Sequence, residues 1–188
     1  NFNDKYIYDF IRYNNIKLVK KYINSGYDLN ETSDSNYNTP LIHAVKYDKM
    51  EIVKLLLNAG VDVNKQTKYG ETALNSAAYN GNIKIVELLL NAGVDIDKQD
   101  NDGYTALFKA VRKNNFQIVE LLLNAGADID KKSIFNQTAL IEATLFNNIK
   151  IVELLLNAGA NIDILNNNHN TALMVAIKND YGEIIKLL

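Results

Sequence analysis

The chain has no cysteine and no tryptophan, a single proline at Pro40, and two histidines, His43 and His169, far apart in 188 residues. Without cysteine there is no disulfide framework, no thiol nucleophile and no thiolate metal site. Two distant histidines cannot supply the usual zinc ligand set, and a Ser/His or Cys/His nucleophilic pair has little to work with. Charge of one sign is also missing. The formal net charge is −2, so no global field draws the chain to nucleic acid or anionic lipid. Its longest apolar runs are a few residues, far short of a membrane span, so no membrane insertion is expected. The lack of cysteine suits reducing and oxidising environments alike, leaving the compartment open between cytoplasm and secretion into a host cell. The sequence starts at Asn1 rather than Met and stops inside an apolar run at Leu188. A piece of something longer is the expectation.

What the chain does have is a period. TPLIHA, TALNSA, TALFKA, TALIEA and TALMVA begin at Thr39, Thr72, Thr105, Thr138 and Thr171, each 33 residues after the last. LLLNAG ends at Gly60, Gly93, Gly126 and Gly159, again 33 apart, and a weaker YINSG ends at Gly26. Two independent landmarks with one spacing mark a repeat architecture.

The unit reads as helix, turn, helix and extended loop. The Thr72 hydroxyl suits a helix N-cap. Pro40 and its alanine counterparts follow at the first helical position. Leu74 and Ala77 share a face, and the small residue at Ala44, Ala77, Ala110, Ala143 and Ala176 lets a neighbouring helix come close. Asn80, Gly81 and Asn82 break this helix. A second runs through Ile85, Val86, Leu88, Leu89 and Leu90, apolar on most sides, and Gly93 closes it in a left-handed conformation. Such a unit cannot bury its apolar sides alone and must stack on neighbours. The fold class expected is all-α, a solenoid of helix–turn–helix units with hairpin-like connecting loops. The units fall at 1–33 (a degenerate N-terminal cap), 34–67, 68–100, 101–133, 134–166 and 167–188 (partial).

These residues resemble the ankyrin repeat over nearly the whole chain. Asp100, Gly103, Thr105, Leu107, Ala110, Ile118, Val119, Leu121, Leu122, Gly126 and Ala127 occupy that family's slots in one unit. The resemblance implies a concave face of first helices and loop tips that holds another protein. Departures matter as well. Ile42, Asn75, Phe108, Ile141 and Met174 replace the family histidine, which puts its bonds between repeats in doubt. The loop glycine, kept at Gly70 and Gly103, becomes Asn136 and is lost at Tyr37 and His169, so those loops are strained or take another shape. The first unit, from Asn3 to Ser33, carries Lys5, Ile7 and Phe10 in place of the threonine signature. The last lacks its closing glycine, and its exposed end calls for further residues or a neighbouring molecule.

No constellation for chemistry emerges. The acidic run Asp95, Asp97, Asp100, Asp102, Gly103 resembles a calcium loop, but counting from Gly103 puts Lys98 and Lys109 at ligand positions. An ordinary connecting loop is the better reading. Glu87, Glu120 and Glu153 recur once per unit, as solvated face positions do. No catalytic residue, metal or cofactor is assigned, and the chain is read as a non-enzyme. Lys65, Lys68, Lys98, Lys131 and Lys132 are offset by acids, so nucleic acid is not expected as a partner.

Positions that vary between units mark the working face. Candidates are Tyr69 in the third unit, Tyr104, Arg112 and Lys113 in the fourth, and Ile134, Phe135, Leu145 and Phe146 in the fifth, where Glu142 also varies. The four apolar side chains of the fifth unit stand where the family shows polar ones, and with Arg112 and Lys113 they make a candidate hot spot. The competing reading packs Ile134 and Phe135 on the adjacent loop to compensate for Asn136. The function expected is a scaffold binding a partner protein of unknown identity. The alternative is an appendage of a larger protein, such as a host-directed effector. The chain is expected to be a monomer or to self-associate weakly through its truncated last unit.

Overall fold

A threonine hydroxyl opens each of five helices. Thr39, Thr72, Thr105, Thr138 and Thr171 accept from the backbone N–H three residues on, at Ile42, Asn75, Phe108, Ile141 and Met174. Each satisfies an amide that has no partner within its own helix. Pro40 takes the first helical position in the earliest of them. The computed structural model describes residues 6–32 and 36–188; Asn3, Lys5 and Ser33 of the first unit lie outside them.

Among the described residues there are twelve helices and no strand, paired in six hairpins. The first helices are α1 (Tyr6–Arg12), α3 (Pro40–Lys46), α5 (Ala73–Asn80), α7 (Ala106–Arg112), α9 (Ala139–Leu145) and α11 (Ala172–Lys178). Their partners are α2 (Ile16–Ile23), α4 (Met50–Asn58), α6 (Ile83–Asn91), α8 (Phe116–Asn124), α10 (Ile149–Asn157) and α12 (Gly182–Leu187). First helices pack on first helices and second on second, so the molecule is a two-layered solenoid.

The hairpin turn needs one left-handed residue. Gly81 supplies it once, and Asn14, Asp48, Asn114, Asn147 and Asp180 supply it elsewhere with φ near +55°. Asn and Asp tolerate that region better than other side-chain-bearing residues. The amide that follows returns to the alanine column of the helix before it, as Asn115 N–H does to Ala110 O at 2.9 Å. Ala44, Ala77, Ala110, Ala143 and Ala176 are all fully buried, and they set the close approach of the first helices. In the second helices Ile85, Val86 and Leu89 are buried and Leu88 and Leu90 are half-buried, so that layer is less closed than its composition implies.

The connecting loops are hairpin-like. Thr67, Asp100, Ser133 and Asn166 each donate a backbone N–H to the carbonyl four residues on. Their side-chain oxygens also accept from amides two and four residues on. One short polar side chain thus shapes each loop. Asp100, the most tempting metal ligand in the sequence, is buried in this duty and paired with Lys109 Nζ at 2.7 Å.

The loops of Asn136 and His169 keep the same fold without glycine, and Tyr37 takes the same left-handed conformation. Tyr37, Asn136 and His169 have φ of 55°, 55° and 57°, against 75° and 77° at Gly70 and Gly103. Of the two expectations for Tyr37 and His169, strain is the one realised.

A second ladder runs along the base of the loops. Asn30, Asn64, Asp97 and Asp130 accept, through their side-chain oxygens, from Asp62, Asp95, Asp128 and Asn161 N–H of the next unit, at 2.7–3.0 Å. Every internal boundary from the first loop to the fifth is therefore tied by the same bond.

Candidate partner-binding surface

First helices lie closer together than second helices. A stack spaced more tightly on one side curves toward it, so α1, α3, α5, α7, α9 and α11 line the inner side. The last turns of these helices and the loop tips carry the side chains that vary.

In the fifth unit that variation is apolar. Ile134 and Phe135 sit at the loop tip and Leu145 and Phe146 end α9, and all four are exposed. In other units the Ile134 position holds Lys68, Asn101 or Asn167, and the Phe146 position holds Tyr47, Asn80, Lys113 or Asn179. Ile134 and Phe135 tie into the neighbouring loops through their backbones, Ile134 N–H to Asp102 O and Asn167 N–H to Phe135 O, both at 3.0 Å. Asn136 reaches Asn167 through its own side chain at 2.7 Å. The two side chains remain in solvent.

The fourth unit differs from expectation. Tyr104 is 8% exposed: its ring stacks on Phe108 with centroids 4.4 Å apart, and the Arg112 guanidinium covers it at 4.5 Å. Glu142 is 2% exposed and accepts from Arg112 Nε at 2.5 Å. Neither is a surface residue, which corrects the sequence reading. Both lie under Arg112, whose own side chain is one-third exposed. Burial pulls the guanidinium pKa down, but the hydrogen bonds and charges of Glu142 and Tyr104 outweigh it and hold it above its ordinary value. Arg112 is a fixed cation, stacked and paired.

Lys113 is exposed, with Nζ 4.2 Å from the Tyr79 ring centroid. Tyr69 is exposed at its loop tip, under Lys68 Nζ at 4.9 Å. Tyr79 is one of the varying third-unit positions that the sequence offers; Tyr47 and Arg12, which repeat the arrangement at 5.9 Å, are not among the sequence candidates. Their shared place, seven or eight residues past the capping position, was the available signal.

The missing family histidine is replaced by several devices. Asn75 Nδ2 donates to Tyr104 O of the next unit at 3.0 Å, and its Oδ1 accepts from the Thr72 hydroxyl. Phe108 makes the stack under Arg112, Ile42 and Ile141 are buried, and Met174 is exposed.

A family model described as ankyrin repeats (3 copies) matches residues 8–100 and 129–188, and another, ankyrin repeats (many copies), matches 83–123. The chain belongs to the ankyrin repeat family. No curated protein matches it. Ankyrin repeats are generally protein–protein interaction modules and are typically non-catalytic. In this ankyrin array, no group of three or more His, Cys, Asp or Glu side chains among the described residues is placed to hold a metal ion. No helix among them is long and apolar enough to cross a membrane.

Proposed function

We propose that this ankyrin array is a non-catalytic scaffold that holds a partner protein on its inner face, with the contact centred on the fifth unit. The observation that carries the reading is the exposure of Ile134, Phe135, Leu145 and Phe146 at positions that are largely polar in other units. Exposed apolar side chains grouped on one face cost solubility and favour a partner that covers them. Arg112 and Lys113 hold the matching positions of Leu145 and Phe146 in the fourth unit, Tyr69 is the loop-tip counterpart of Phe135 in the third, and Tyr104 contributes from beneath by fixing Arg112. Interfaces commonly take most of their binding energy from such aromatic and arginine groups.

The test is affinity capture from the native cell with the wild-type array and with a Phe135→Ala/Phe146→Ala double variant. Partner recovery by the wild type and its loss from the variant, at an unchanged melting curve, supports the reading. Equal recovery by both removes the patch from the function.

A second reading has its own observation. Leu173, Met174 and Ile177 are exposed in the last unit, whereas the residues at their positions in the four units before it are buried. We propose weak self-association through this end, which light scattering across a concentration series would detect as a rising apparent mass. A constant monomer mass would contradict it.

A further inference from the structure

The inner face is chemically divided along its length. From the first to the fourth unit three exposed cations rest on tyrosine rings: Arg12 on Tyr47, Lys68 on Tyr69 and Lys113 on Tyr79, at 5.9, 4.9 and 4.2 Å. Among the described residues, none of the three cations has a carboxylate in ion-pair range. Their neighbours Lys46, Lys109 and Arg112 are each paired, with Glu71, Asp100 and Glu142 at 3.0, 2.7 and 2.5 Å. A cation over an aromatic face keeps its charge while losing side-chain freedom. These three are therefore held ready for an anion that no described residue supplies. In the fifth unit the cations stop and the apolar group begins.

We infer that the partner presents one extended segment of two halves, an acidic half lying over the tyrosine-borne cations and an apolar half over Leu145, Phe146 and Phe135. This rests on the inner-face reading above and adds the chemistry of the occupant. Neighbouring packed helices stand about 8–10 Å apart. Crossing from the second unit to the fifth thus takes roughly 25–30 Å, or about seven to nine residues of extended chain. Net charge does not produce the basic stretch, because the chain as a whole is at −2. Single-stranded nucleic acid also favours aromatic rings beside cations. The exposed Asp102 carboxylate at a loop tip and the apolar side chains that replace cations at Ile134, Leu145 and Phe146 favour a peptide over a continuous phosphate backbone.

The experiment is selection of a random 12-residue peptide display library on the wild-type array, followed by fluorescence anisotropy of the synthesised winners. The expected winners have Asp or Glu grouped in one half and Phe, Leu or Ile in the other. Lys68→Glu/Lys113→Glu should weaken them roughly tenfold. Replacing their acids with Lys should restore binding to that charge-reversed variant. Circular dichroism of each variant checks that it is folded, as expected for exposed positions. Winners without acidic enrichment, or indifferent to the charge reversal, overturn the inference. If Phe135→Ala/Phe146→Ala still abolishes their binding, the inner-face reading survives alone. Indifference to both pairs of substitutions overturns both. No enriched sequence, or a dT20 oligonucleotide bound more tightly than any winner, also overturns the inference.

Discussion

Arg112 on α7 donates its Nε hydrogen to Oε1 of Glu142 on α9 at 2.5 Å, and this pair ties the fourth unit to the fifth directly under the candidate patch. Glu142 is buried, so removing the arginine strands a carboxylate in a poorly solvated site. Arg112→Met should cost about 2–4 kcal/mol, toward the lower end of buried pairs because Arg112 is one-third exposed. Glu142→Gln keeps an acceptor for Nε and should cost less. Urea denaturation of the two variants gives the order directly, and the reverse order would place the stabilisation elsewhere.

Leu89 is fully buried in the middle of the second-helix layer. Leu89→Ala should cost roughly 2–5 kcal/mol in chemical denaturation. Ala110, equally buried, sets the close approach of the first helices, and Ala110→Leu should cost about 1–3 kcal/mol by overpacking. A neutral Leu89→Ala would show that the buried face is misassigned.

At Gly103 an added Cβ would lie 2.8 Å from Ile134 N and 2.9 Å from Ser133 Cα. At Asn136 the equivalent residue carries a Cβ, with φ about 20° lower, so the loop accommodates it by rotation. Gly103→Asn should therefore be tolerated far better than Gly103→Val, whose branched side chain resists positive φ. The valine variant should lose at least about 2 kcal/mol. Thermal unfolding separates them.

His169 stands at φ 57° on an exposed loop. Relief of about 1–2 kcal/mol of left-handed strain should exceed the roughly 0.5–1 kcal/mol that glycine costs in chain entropy. His169→Gly should then raise the melting temperature slightly. A lower melting temperature would mean that the imidazole makes a compensating contact.

Helices, caps and loop closure were legible in the sequence because they depend on residues close together within one unit. Thr105 caps its own helix, and Gly93 closes its own. Contacts between units were not legible in the same way. Tyr104 precedes a capping threonine and reads as a loop-tip residue, yet Phe108 and Arg112 bury it. The aromatic pair four residues apart, with arginine another four on, was the signal that the three side chains meet. Glu142 is buried by a partner 30 residues earlier, and nothing in its own unit announces that. Asn75 shows the converse. The family histidine is absent, but its amide still bonds the carbonyl of Tyr104 in the next unit. Asn75→Leu should cost about 0.5–1.5 kcal/mol by removing one of the two hydrogen bonds that this carbonyl accepts, the other coming from Asp100 N–H, read as a shift in denaturation midpoint; a neutral change would mean that water replaces the amide.

Which side of the stack takes the partner can be decided by site-specific photo-crosslinking. A benzophenone side chain is placed at position 146 in one variant and at 120, exposed on the second-helix side, in another. Covalent partner adducts from position 146 and none from 120 are the result predicted here. Adducts from 120 with none from 146 would contradict an inner-face scaffold.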